Sequence, residues 1–191
     1  MEALAAMGRF PEALDEVKRA VDEDPLSQIV ASKTVWTECL AGRKEAAVET
    51  LKKAVEMDPN FPRTHFRPGL VRQSRGMVDA AIQEDQKAIA LSDANPYYQA
   101  ALANAYVASG HGKEGSSLLK ELLIRSTHQP VPAFAFAVIY AGMNDSNAAF
   151  QWLGKTVADH STSMAFANVD PELASLRSDS RFASVLKSLN F

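Results

Sequence analysis

Four glycines of this chain fall in one phase. Gly8, Gly42, Gly76 and Gly110 stand 34 residues apart, and Asn144 takes the next step, Asn being the usual substitute for Gly where the backbone turns left-handed. Five positions after each come Ala13, Ala47, Ala81, Gly115 and Ala149, all small; seven further come Ala20, Ala54, Ala88, Leu122 and Thr156. Each of those is followed by an apolar residue, Val21, Val55, Ile89, Leu123 and Val157. Pro25 and Pro59 close the first two units, while Asp93 and Thr127 hold that place in the next two. With glycine at about 7% of ordinary sequences, coincidence does not produce such a phase; a fixed period of this length marks a repeat array.

Each column has a mechanical reason. A glycine ends a first helix and lets the chain turn, and small residues on a second helix allow two antiparallel backbones to approach closely. Between the columns apolar residues recur at helical spacing, as in Ala47, Leu51, Ala54 and Val55, with Lys44, Glu45, Glu49, Lys52, Lys53 and Glu56 on the outer face. No useful stretch alternates with period two. The pattern predicts first helices near 28–41, 62–75, 96–109 and 131–142, and second helices near 11–23, 45–57, 79–91, 113–125 and 146–158.

This period and its columns resemble the tetratricopeptide repeat. The resemblance implies an all-α fold, a right-handed α-solenoid of tandem helix-turn-helix units. The expected array covers 1–163, with a partial repeat 1–27 and repeats 28–61, 62–95, 96–129 and 130–163, followed by C-terminal capping helices over 164–191. Tyr140, Ala149 to Leu153, Val169-Asp170-Pro171, Leu176 to Asp179 and Arg181-Phe182 further resemble the tail of repeat regions in large bacterial regulators. There such repeats follow a kinase, a winged-helix domain or a nucleotide cyclase. Ser180 and Asn144 depart from that pattern, standing where it has proline and glycine.

A chain of 191 residues, 47% hydrophobic and 23% charged, is long enough to bury a continuous core. Its net charge of −3 offers no basic surplus for phosphates or anionic lipid, so nucleic acid and membrane are not expected as partners. Cys39 is the single cysteine, excluding an intrachain disulfide. No signal peptide or membrane-length apolar run is legible, which makes cytoplasmic the expected location. His65, His111, His128 and His160 are dispersed, with no pair at a metal-binding helical spacing, so neither a metal nor a cofactor is expected, and no acid, base and nucleophile converge as an enzyme would need.

In stacked helical hairpins the first helices line the concave face. By the family resemblance, the inward positions are Ile29, Ser32, Lys33, Trp36 and Cys39 from repeat two and Arg63, Phe66, Arg67, Leu70 and Gln73 from repeat three. Repeats four and five add Tyr97, Ala100, Asn104, Val107, Val131, Phe134 and Val138. The expected groove has aromatic walls, Trp36, Phe66, Tyr97 and Phe134, and a cationic middle, Lys33, Arg63 and Arg67, suited to a carboxylate or an acidic peptide. Arg63 and Arg67 occupy positions that are basic in repeat domains gripping a peptide C-terminus; Lys33 and Glu2 stand where those domains use Asn. The reading is a protein-interaction scaffold holding a protein or peptide, or alternatively a regulatory segment docking on a neighbouring domain of a larger signalling protein.

Some features depart from the beat. Met1 falls at about the eighth position of its repeat, so either the chain is a fragment or a short gene product, or the apolar face at 10–21 is covered by a partner or a second copy, a homo-oligomer through the truncated N-terminal repeat. Pro68 inside a first helix predicts a late start, near Thr64, or a kink. Arg72 and Asp85 occupy facing columns that hold Tyr106 and Tyr140 in one and Leu51, Leu119 and Leu153 in the other, predicting a partly buried ion pair. Asp170-Pro171-Glu172 and Ser178 or Asp179 read as helix starts for a lid carrying Phe182, Val185, Leu186 and Leu189.

Overall fold

The computed structural model describes residues 2–66 and 77–188. At the phase positions the backbone is left-handed: φ is +72° at Gly8, +73° at Gly42, +83° at Gly110 and +59° at Asn144. Each turn closes in the same way. The N–H after the left-handed residue donates to the carbonyl five residues back, Arg9 to Leu4, Arg43 to Glu38, His111 to Tyr106 and Asp145 to Tyr140, at 2.8–3.0 Å. The left-handed residue itself donates to the carbonyl three before it, as Gly42 does to Cys39 at 3.0 Å. This double closure satisfies carbonyls that a helix end would otherwise leave bare.

The helices follow from those turns. They are α1 (Glu2–Ala6), α2 (Phe10–Glu23), α3 (Gln28–Leu40), α4 (Lys44–Met57), a helical segment at 62–66, α5 (Val78–Ala90), α6 (Pro96–Ala108), α7 (Gly112–Arg125), α8 (Ala133–Gly142) and α9 (Ser146–Ala158). Among the described residues there is no strand. The all-α hairpin array is the fold expected, and the second helices lie within a residue of their expected bounds. The small column is where the hairpins close: Ala13, Ala47, Ala81 and Ala149 are wholly buried. At Gly115 a Cβ would stand 2.9 Å from Val107 Cγ2 and 3.0 Å from the Ala103 carbonyl oxygen, so α6 and α7 meet there at backbone distance.

The chain divides into two compact units, Met1–Asp93 and Ala94–Phe191. In the first, Val35, Ala47 and Leu51 form a core with Cys39, Val48 and Val55 against it. In the second, Leu122, Phe136, Ile139 and Leu153 form a larger one that includes Leu173, Leu176 and Phe182. Three hydrogen bonds of this unit span a separation of 34 residues: Asn104 Nδ2 to the Val138 oxygen (3.5 Å), Ser175 Oγ to the Ala141 oxygen (3.1 Å) and Arg181 Nη1 to Asn147 Oδ1 (2.8 Å). They tie equivalent places in successive repeats, and the last two carry that register into the C-terminal lid.

The lid is less regular than expected. Asp170 does cap, accepting from the Glu172 N–H at 2.9 Å, but the segment it opens is a 3₁₀ helix, Pro171–Leu176, preceded by another, Thr162–Phe166. Of the two candidate caps for α10 (Ser180–Lys187) the chain uses Asp179, which accepts from Arg181 N–H at 2.9 Å. The Arg181 guanidinium pulls the Asp179 carboxyl down to about 2. Phe182 is buried and Val185 and Leu186 pack beside it, while Leu189 lies outside the described residues.

Repeat three corrects one expectation. Residues 62–66 are already helical, so the helix starts at Pro62 and not late; a proline in the first turn forfeits no bond because that N–H has no helical acceptor. Pro68 and Arg72 lie outside the described residues. Farther on, Asp93 and Ala94 both take left-handed φ, 50° and 54°, where the earlier repeats have a proline turn. Arg125 Nη1 donates to the Ala94 oxygen at 2.7 Å and to Gln99 Oε1 at 3.4 Å, holding the second residue of that pair.

Candidate partner-binding faces

The first-helix residues of the N-terminal unit are unevenly offered. Ile29 is 54% exposed, Arg63 is exposed and Phe66 is half-buried. Lys33 is already paired, its Nζ 2.9 Å from Glu2 Oε2, so the two residues that depart from the carboxylate-gripping pattern neutralise each other. A pair this exposed is worth about 0–1 kcal/mol, and an acidic ligand could compete for Lys33. Trp36 is 4% exposed and Ser32 is as deep, so the indole is buried and not displayed as the sequence reading expected. Cys39 is half-buried beside the Val35 core. Arg67, Leu70 and Gln73 lie outside the described residues.

In the C-terminal unit the corresponding residues are covered. Phe134 is 5% exposed, Asn104 7% and Val138 2%. Asn104 donates to Val138 and would collide with any Cβ at Gly142, which makes it a link between repeats. Tyr97 lies 6.3 Å, ring to ring, from Phe134, and its hydroxyl is 2.8 Å from Ser163 Oγ. Met164 and Ala167, from the same short segment as Ser163, belong to the core that holds Phe134. Residues after α9 therefore share a hydrogen bond and a core with Tyr97 and Phe134, two of the residues expected in the groove. Sequence columns show which residues face inward but not which of them a later segment covers.

A polar cluster in repeat three was only partly seen by the sequence reading, which singled out Asp85 alone. His65 is 1% exposed; its Nε2 donates to the Pro59 oxygen at 2.7 Å, and its Nδ1 is 2.7 Å from Glu84 Oε2. A carbonyl only accepts, so Nε2 carries the hydrogen of that bond. Next along α5, Asp85 is 1% exposed, and its Oδ1 has no hydrogen-bond partner among the described residues. Burial, with Glu84 nearby, raises its pKa to about 8. In sequence Asp85 already broke its column, but His65 and Glu84, in columns held by Ala31 and Thr50 one repeat earlier, were not connected with it.

The second helices of the N-terminal unit frame a groove of about 510 Å³, walled by α2 and α4 and floored by α3. Leu14, Val21, Val30 and Ala54 line it, and Glu38 lies on its floor. Ala13 and Val17 of the 10–21 face are buried, and Leu14 and Val21 remain half-buried at the groove. Among the described residues no three of His, Cys, Asp and Glu gather so as to hold a metal ion, and no helix is long and apolar enough to cross a membrane.

No sequence-family profile matches the chain. The TPR repeat-containing protein YpiA of Bacillus subtilis (strain 168) is 26% identical over 122 residues, 64% of this chain but 29% of that protein, so the chain spans under a third of that relative. Among solved structures, TTC0263, a thermophilic TPR protein in Thermus thermophilus, superposes with a TM-score of 0.65 at 18% identity, covering 96% of this chain and 94% of that one. MamA gives 0.55 at 20% identity over 84% and 94%. YrrB, a TPR protein described as having an unusual peptide-binding site, gives 0.52 at 17% identity over 91% and 90%. These likenesses agree with the repeat period, the hairpins and their turns: the chain has the tetratricopeptide-repeat fold.

Proposed function

We propose that this chain holds a protein or peptide partner, and that it does so on the first-helix face of its N-terminal unit. The repeat fold itself supports a role in protein–protein interaction. The observation that carries the finer reading is the contrast between the units. Ile29 and Arg63 are offered to solvent in one, whereas Tyr97, Asn104 and Phe134 are packed or bonded within the other. Arg63 supplies a charge that pairs bidentately with carboxylates, and Ile29 and Phe66 supply apolar contact beside it. An extended acidic segment, or a free C-terminal carboxylate, is the ligand this chemistry favours.

A direct test uses a fluorescent peptide of alternating Glu and Leu with a free C-terminus, and its C-terminal amide. Arg63→Glu is expected to weaken the free acid about tenfold, equivalent to about 1.4 kcal/mol, with an unchanged melting curve. Equal binding by the variant removes Arg63 from the site. The regulatory reading also has support, because the Bacillus relative carries its matched stretch within a much longer chain. There the same face would dock on a neighbouring domain, and binding of the isolated peptide would be absent while binding of that domain in trans would depend on Arg63.

A further inference from the structure

The groove between α2 and α4 carries a second site. Its volume, about 510 Å³, lies in the range of small-ligand clefts, and aliphatic side chains, Leu14, Val17, Val21, Val30 and Ala54, supply most of its depth. The charged groups at its edge are Asp15, Lys18, Asp24, Arg43 and Lys53, all exposed and of both signs. Such charges are hydrated and screened, and their stems cover apolar surface more than they set a potential. Glu38 is different. It is the recessed charge of the groove, only partly exposed, and the Thr50 hydroxyl donates to its carboxyl. Its Oε2 is buried without a hydrogen-bond partner among the described residues.

An acceptor left unmatched beneath an apolar groove is a specific deficiency. Burial disfavours the carboxylate charge and pushes the Glu38 pKa up, and Arg43 offsets this only in part. What completes it is a donor bearing positive charge that enters the groove and displaces the side chains now sealing the Glu38 carboxyl, while its neighbours cover Leu14, Val21 and Ala54. We propose that this groove docks a partner segment presenting one Arg or Lys between aliphatic residues, with the cation on Glu38. The surface uses a face of α3 other than the one bearing Ile29 and Lys33, and its ligand has the opposite charge. The chain then joins two partners, an acidic one on the first helices and a basic amphipathic one on the second, and the second site stands independently of the first.

The probe is the capped pentapeptide acetyl-Ala-Leu-Arg-Leu-Ala-amide, titrated into the ¹⁵N-labelled full chain at pH 7, with the same peptide carrying Gln or Glu at its centre. The Arg peptide is expected to shift the amides of Leu14, Glu38, Thr50 and Ala54 in a saturable way, and to bind at least about tenfold more tightly than the Gln peptide. Glu38→Gln, which keeps the size of the side chain, is expected to bring the two peptides within about twofold, while Arg63→Glu leaves the preference intact. Lowering the pH should weaken the Arg peptide alone, because protonating Glu38 removes the charge it pairs with. Equal affinity of Arg and Gln peptides for the unaltered chain overturns the proposal. So does an Arg preference that survives Glu38→Gln, or the absence of saturable shifts in the groove.

Discussion

Asp85 stands in a column whose other occupants are Val17, Leu51, Leu119 and Leu153, and it is as buried as they are. Its pKa, raised from 3.8 to about 8, makes it a destabilising group with a defined pH signature. Between pH 3.8 and 8 the unfolded chain has released the proton that the folded chain keeps. Stability therefore falls as pH rises through that window and levels off above it. Asp85→Leu, which restores the column, is expected to stabilise the protein, and its advantage to grow by up to about 1.4 kcal/mol per pH unit. Urea unfolding of both proteins at pH 5 and pH 8 checks this; a constant gap would mean that Asp85 ionises normally in the fold. The sequence pointed to this position because it broke a column, but paired it with Arg72, outside the described residues. Trp36 shows the converse failure: an aromatic at an inward position gives no sign in sequence of which way its ring packs.

Two glycines within helices separate packing from propensity. Gly154 in α9 has open space where a Cβ would go, whereas Gly115 in α7 would place one 2.9 Å from Val107 and 3.0 Å from the Ala103 oxygen. Alanine raises helix propensity at both sites by about 1 kcal/mol. Gly154→Ala is expected to gain about that amount, while Gly115→Ala loses about 1–3 kcal/mol because backbone on the facing helix must move. Thermal melts of the two variants should shift in opposite directions, and stabilisation by both would show that α6 and α7 are not in backbone contact. The helices were legible because their stops and their close approaches fall at fixed intervals. The 3₁₀ turns of the lid and the left-handed Asp93–Ala94 pair were not, since neither contains a glycine and Asp93 replaces the proline that marks its place in earlier repeats.

Across the whole molecule, a stack of hairpins is stable only if its last apolar face is covered. Leu173, Leu176 and Phe182 do this in the C-terminal unit, each contributing about 1.5–3 kcal/mol by burial. A chain ending after Asn168 is expected to lose most of that stabilisation, lower the melting temperature and bind a hydrophobic dye. An unchanged melt would show that the lid is dispensable. The register of the lid also matters to how such a chain is lengthened. Asn104 with Val138, Ala141 with Ser175 and Asn147 with Arg181 are the same separation apart, 34 residues. A genetic duplication or loss of one whole period would hand each surviving group an equivalent neighbour, whereas a change of any other length would leave the terminal segment facing the wrong one. Such a chain should vary among descendants in whole modules, like a text edited only by the line.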